Sequence, residues 1–228
     1  MITSRLNVMR NRLSAACAAA GRNPAAVRLL AVSKTFGADA VLEAIAAGQL
    51  GFGENYIAEG VEKIQSLRSH PGLEWHCIGP VQSNKTRLVA EHFDWVQSVD
   101  RLKIAQRLNE QRPAHLPPLQ ICLQVNVDGG ANKSGVTPVD LMQLVQDVSQ
   151  LPRLRLRGLM TIPEPAVDFA AACAVHAQTK VLFDEVNSAG LLAVPMDTLS
   201  MGMTADVEAA VASGSTMVRV GTAIFGGR

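Results

Sequence analysis

Hydrophobic and polar positions along this chain switch repeatedly between two spacings. Short apolar, β-rich runs recur at VRLLAVSK (27–34), LGFGEN (50–55), EWHCIG (74–79), WVQSV (95–99), LQICLQVNV (119–127), LRLRGLMTI (154–162), MDTLSMG (196–202) and TMVRVGTAIFG (216–226). Between them apolar residues return every three or four positions. That spacing predicts helices over 38–47, 57–67, 102–110, 139–151, 169–187 and 206–213, with a shorter one over 83–92. Asp100, Thr137-Pro138 and Thr204 stand where helix start signals belong. At the N-terminus Ile2, Leu6, Met9, Leu13 and Cys17 form one more helical stripe, and Gly21 and Pro24 stop it.

Strands alternating with helices predict a parallel sheet. Eight such units within 228 residues predict an α/β fold of a definite kind, a single (β/α)8 TIM-type barrel over residues 1–228 with an extra N-terminal helix. An open doubly wound sheet is the alternative, but no G-x-G-x-x-G follows the first strand. The prolines at 113, 117 and 118 mark a surface loop before the fifth strand.

Composition narrows the function classes. Hydrophobic residues make up 48% and charged residues 18%, as in an ordinary globular protein. A net charge of +1 gives no electrostatic case for nucleic acid or an anionic membrane. No apolar run approaches the ~20 residues that span a bilayer. The widely spaced Cys17, Cys77, Cys122 and Cys173 read as buried small residues of a reducing compartment, so a cytoplasmic protein is expected. Arg5, Arg10, Arg12, Arg22 and Arg28 precede the first acid, a composition that transit peptides share. The apolar stripe leading into the first strand favours a helix of the fold instead, and no secretory signal is visible.

A barrel gives the polar strand ends meaning, because active sites in this fold lie at the C-terminal ends of the strands. Lys34, Glu54, Asn55, Asn126, Thr161, Ser200 and Thr222 are expected to face one mouth. Phosphate sites in barrels often use the loops after strands seven and eight. Here those loops carry Ser200-Met201-Gly202-Met203-Thr204 and Gly221-Thr222-Ala223, with glycines for close approach and hydroxyls as donors. Arg219 sits inside the apolar run Met217-Val218-Arg219-Val220 and shares a strand face with Gly221. A buried arginine requires an acceptor, either structural (Glu54, Asp197 or a backbone carbonyl) or on a ligand. A lysine, a phosphate cradle and a buried arginine around one mouth suit pyridoxal 5'-phosphate (PLP), an aldehyde with a phosphate and a ring nitrogen.

The stretches "AVSKT" (31–35), "GFGENY" (51–56), "EWHCIGPVQSNK" (74–85), "QVNV" (124–127), "KSG" (133–135), "RGLMTIP" (157–163), "LSMGMT" (199–204) and "VRVGTAIFG" (218–226) follow one another as in a known family. The chain resembles the pyridoxal phosphate homeostasis proteins, which share the barrel of alanine racemase. The resemblance implies that Lys34 carries PLP as an imine and that Ser200, Gly221 and Thr222 contact its phosphate. It further implies that Arg219 meets the ring nitrogen and that Asn55 lies beside the cofactor. The implied partners are PLP and the apo-enzymes that would receive it. Phe36 and Gly37 stand where the family often has Lys-Pro, Thr204 where it usually has serine, and Lys85 and Lys133 match family positions for which a second binding site is the one role left open.

Three functions are carried forward. The first is a PLP carrier without strong catalysis. The second is a PLP-dependent racemase or lyase, and the third a cofactor-free Schiff-base enzyme acting on sugar phosphates. Racemisation needs acid–base groups on both faces of the substrate carbon, and the chain's only tyrosine, Tyr56, directly follows the second strand. A monomer is expected. His76 is expected to be a core histidine bonded to backbone rather than a neighbour of the ring.

Overall fold

The structure, a computed structural model, describes residues 1–130 and 134–227. Its strands are β1 (Arg28–Val32), β2 (Gly51–Glu54), β3 (Glu74–Cys77), β4 (Trp95–Val99), β5 (Leu119–Gln124), β6 (Leu154–Met160), β7 (Thr198–Ser200) and β8 (Met217–Val220). They pair in parallel, each with the next, and β8 returns to β1 to close the barrel. The helices are α1 (Ile2–Ala19), α2 (Ala38–Ala46), α3 (Ile57–Ser66), α4 (Thr86–His92), α5 (Leu102–Gln111), α6 (Pro138–Ser149), α7 (Phe169–Ser188), α8 (Val207–Ala212) and α9 (Thr222–Phe225). This is the expected (β/α)8 barrel with an additional first helix.

Two cores result from the alternation of strand residues. Outward positions such as Ala31, Phe52, Trp75 and Val96 join the helices in one continuous apolar cluster. Inward positions form separate clusters, Leu30, Val32, Ile78 and Met217 in one and Trp95, Cys122 and Met160 in the other. Filled layers of this kind make the barrel interior a packed core rather than a pore.

Several sequence expectations change at element ends. Residues 221–225 do not extend β8. Gly221 O accepts from the N–H groups of Ile224 and Phe225 at 2.9 Å, so the chain turns into α9, and the run over 216–226 is part strand and part helix. Thr137 caps α6 as expected, its side chain accepting from Asp140 N. Asp100 pairs with Arg101 instead of capping α5. Asp206, not Thr204, precedes α8, and its carboxylate accepts from Met203 N at 2.7 Å.

The basic N-terminus is explained by packing. Helix α1 buries Ile2, Leu6, Met9, Leu13, Ala16 and Cys17 against α2, α8 and α9. Its arginines reach carbonyls at the ends of neighbouring elements. Arg5 donates to Phe225 O at 3.1 Å, Arg10 to Ala47 O at 2.7 Å, and Arg22, just beyond the helix, to Val211 O at 2.7 Å. A cation at a helix C-terminus satisfies orphan carbonyls and the helix dipole together. Among the described residues no helix is long and apolar enough to cross a membrane.

Candidate functional site

The C-terminal mouth of the barrel opens into a cavity of about 710 Å3, within the range of small-molecule sites. Lys34, Asn55, Arg219, Gly221 and Thr222 all line it, with Val32, Tyr56, Ile78, Ile162, Met203, Thr204 and Ala205. Lys34 is exposed at the end of β1, Asn55 is half-buried after β2, and Arg219 is buried on β8. Gly79 shapes the Asn55 corner. A Cβ there would lie 2.1 Å from Asn55 O, so only glycine lets the two loops touch.

The expected ring of strand-end polar groups is only partly present. Glu54 points outward, on the same strand face as Phe52, and is fully buried with Lys63 of α3 at 2.8 Å and Ser33 Oγ at 2.5 Å. Burial pushes its carboxyl up, against the pull of Lys63 and Ser33. Asn126 is held within its own loop, donating to Gly130 O and accepting from Gly129 N. Thr161 is buried, and its carbonyl accepts from Arg219. Lys85 is exposed in a single 3-10 turn, Ser83–Lys85, and is not among the residues lining this cavity. Lys133 lies outside the described residues.

Arg219 forms the cavity floor and, among the described residues, makes no ion pair with a carboxylate. Nη1 donates to Ser200 O at 2.8 Å and Ser200 Oγ at 2.7 Å, and Nη2 donates to Thr161 O at 2.8 Å. Asp197 is taken by Arg157 and Glu54 by Lys63. Burial lowers the Arg219 guanidinium to about 10, so it stays charged at neutral pH. These bonds use three of the five N–H donors a guanidinium carries.

Ser200 does not line the cavity. Its hydroxyl is fully buried below Arg219 and donates to Gln97 Oε1 at 2.6 Å. Gln97 in turn donates to His76 Nδ1 at 2.9 Å, and His76 Nε2 meets Glu74 Oε1 at 2.8 Å. His76 is thus bonded to side chains rather than to backbone, and it stacks on Trp95 at 5.0 Å. The neutral tautomer protonated on Nε2 satisfies both contacts. Burial lowers the pKa of His76 and so favours that neutral form. Burial would raise the Glu74 carboxyl, but the hydrogen bonds from His76 and Arg28 and the charge of Arg28 draw it down to about 2. Along the series Arg219, Ser200 Oγ, Gln97 and His76, one donor of each side chain points toward Glu74 at the opposite end of the barrel.

Backbone donors gather on the side of β7 and β8. The N–H groups of Thr222 and Ala223 precede the first bond of α9, which Ile224 makes. Across from them Thr204 and Ala205 lie in a turn fixed from two directions. Asp206 accepts from Met203 N, and Arg12 donates to Thr204 O at 2.8 Å while gripping Glu208. Gly202 enters this turn at φ +94°, and a Cβ there would meet the Ala210 Cβ at 2.4 Å. Sequence reasoning did not single out Gln97 or Ala205, and it read Arg12 only as part of the basic N-terminus. Their roles depend on partners distant in the chain, although "LSMGMT" already pointed to the turn.

Residues 5–228 match the family model described as alanine racemase, N-terminal domain. A pyridoxal phosphate homeostasis protein of Pseudomonas aeruginosa is 59% identical over 217 residues, covering 95% of this chain and 91% of that one. Its counterpart in Escherichia coli K12 is 53% identical, covering 100% and 97%. The chain belongs to the pyridoxal phosphate homeostasis protein family. PipY of Synechococcus elongatus has been solved without PLP and with PLP bound. The two structures superpose with TM-scores of 0.88 and 0.85, at 39% and 38% identity, each covering 99% of this chain and 100% of that one. An alanine racemase from Clostridium difficile, 18% identical with a TM-score of 0.68 over 89% of this chain and 53% of that one, shares the fold. The ring of Phe36 stacks on Phe225 of α9 at 5.3 Å, so here the loop carrying Lys34 is tied to the loop carrying Thr222.

Proposed function

We propose that this chain binds PLP reversibly, with Lys34 as covalent anchor, and serves its intracellular homeostasis as a carrier to enzymes that need it. One observation carries the reading. A buried, charged Arg219 with no acidic partner among the described residues shares a cavity with an exposed lysine and with the backbone N–H groups at the start of α9 and in the turn at Thr204 and Ala205. That donor set fits PLP. Lys34 would hold the aldehyde. The N–H groups of Thr222, Ala223, Thr204 and Ala205 and the hydroxyls of Thr204 and Thr222 would hold the phosphate. Arg219 would donate to the ring nitrogen, while Val32, Ile78, Ile162 and Met203 keep water from the ring. Asn55 would lie beside the ring. Ser200, expected at the phosphate, would support Arg219 instead.

When bound, PLP supplies an aldehyde and an electron-accepting ring. Arg219 decides how far that ring is used. A permanent cation that donates a hydrogen bond leaves the ring nitrogen without its own proton, and a neutral pyridine is a weak electron sink. Storage and delivery suit this arrangement better than racemisation does. Tyr56 is exposed at the same cavity and is the group a catalytic reading would use. Rapid α-proton exchange of amino acids in deuterated water, with inversion at ordinary enzymatic turnover, would overturn the carrier reading. For the anchor, the decisive measurement is borohydride reduction of the PLP-loaded protein followed by peptide mapping. The adduct is expected on Lys34 and absent in Lys34→Ala; labelling confined to Lys85 or Lys133 refutes the assignment.

A further inference from the structure

Lys34 occupies a turn that is unusual for its sequence. Phe36 N donates to Ser33 O at 3.1 Å and closes residues 33–36. The third residue, Thr35, has φ +69°, the only positive value on a non-glycine residue among those described. A turn with positive φ at its third position calls for glycine or asparagine. A β-branched residue persists there only where its surroundings over-determine the backbone.

The surroundings do so through a buried ion cluster. Lys63 of α3 is 5% exposed, and its Nζ donates to Ser33 O at 2.7 Å, Glu54 Oε1 at 2.8 Å and Glu59 Oε1 at 2.6 Å. An ammonium group has three donors, and all three are used. Glu54 Oε1 also accepts from Ser33 Oγ, and Glu59 Oε1 accepts from Thr35 N at 2.6 Å. The residues on either side of Lys34 are therefore both tied to one cluster. Phe36 stacks on Phe225, but Thr35 itself is exposed. Thr35 and Phe36 line the Lys34 cavity on one side and a second cavity of about 420 Å3, with Glu59 and Lys63, on the other. Burying the Lys63 ammonium with the Glu54 carboxylate, and partly covering Glu59, adds little to stability alone.

We propose that Lys63, Glu54 and Glu59 are positioning residues for Lys34, clamping residues 33 and 35 so that the amine is presented to the aldehyde. The inference rests on the PLP reading above. In the step it serves, the Lys34 amine adds to the aldehyde carbon, a carbon–nitrogen double bond forms, and the carbonyl oxygen leaves as water.

The test separates reaction from binding in apo-protein. Stopped-flow absorbance gives the rate of covalent capture of PLP, and calorimetry gives the affinity for pyridoxine 5'-phosphate, which has the phosphate and ring but no aldehyde. Lys63→Met and Glu59→Ala are expected to slow capture at least about tenfold while changing pyridoxine 5'-phosphate affinity by no more than about twofold. Glu59→Gln keeps an acceptor for Thr35 N–H and is expected to restore most of the rate. Should Lys63→Met fail to fold, the partly exposed Glu59 still provides the comparison. Capture at the wild-type rate in folded Glu59→Ala, or equal losses of capture and affinity, would overturn the proposal. Amide exchange at Thr35 needs no cofactor and is expected to accelerate at least about tenfold in Glu59→Ala. Unchanged exchange refutes the clamp. A wild-type protein without a Lys34 adduct refutes the PLP anchor, and the exchange result still decides the clamp.

Discussion

Gln97→Leu isolates the chain of hydrogen bonds that crosses the barrel. Gln97 is fully buried, 21 residues from His76 and 103 from Ser200 in sequence, and joins both. Leucine fills a similar volume but leaves His76 Nδ1 without its donor and the Ser200 hydroxyl without its acceptor. Each buried orphan costs about 1–3 kcal/mol, so a loss of about 2–6 kcal/mol is expected. That is a large part of the ~5–15 kcal/mol by which proteins are stable. Arg219 keeps its bonds to Ser200 O and Thr161 O, so the site should persist in the folded fraction. Urea unfolding followed by circular dichroism and tryptophan fluorescence measures the change, which should appear in the midpoint with the slope unchanged. Removing both partners of a buried hydrogen bond costs less than removing one. Adding His76→Phe, whose ring can keep the stack on Trp95, should therefore recover about 1–2 kcal/mol of the loss through coupling. A single variant within about 0.5 kcal/mol of wild type, the scatter of ordinary surface changes, would show that the chain of bonds contributes nothing to stability.

Three further outcomes are expected from the same network of buried and half-buried groups. Glu74 has a folded pKa of about 2, below the ~4.3 of a free glutamate, so its contribution is complete above the unfolded value and is lost as pH falls toward 2. Glu74→Gln should cost about 1–3 kcal/mol at pH 7, discounted for partial exposure, and the gap to wild type should close on acidification; a gap independent of pH contradicts this. Burial pushes the Cys77 and Cys122 thiols up to about 12, and Cys173 is the half-buried one. A native thiol titration should find Cys173 reacting first and the full set only after unfolding, and rapid native labelling of Cys77 or Cys122 would contradict the buried placement. Pyridoxal should bind orders of magnitude more weakly than PLP, since several charge-assisted hydrogen bonds at about 1.5–3 kcal/mol each are lost; equal affinities would remove the phosphate cradle.

What could be read from the chain alone was whatever local spacing determines. Period-two and period-three-to-four patterns are carried within a few neighbouring residues, so the strands, most helices and the eightfold alternation were legible, and with them the barrel. Placing chemistry at strand ends then followed from the fold, and Lys34, Asn55, Arg219, Gly221 and Thr222 do meet in one cavity. What the chain alone left open was every choice made across the barrel. Ser200 and Glu54 look alike in sequence, polar groups closing apolar runs. Strand parity sends Glu54 outward to Lys63, and closure brings Ser200 inward against Gln97 and Arg219. Residues 221–225 read as strand because Ala, Ile and Phe suit either state, and the bonds to Gly221 O settle them as helix. The arginines of α1 resembled a targeting segment until neighbouring carbonyls supplied their partners. Hydrophobic periodicity is written locally, but a buried polar group is defined by its acceptor, and these acceptors lie tens to hundreds of residues away.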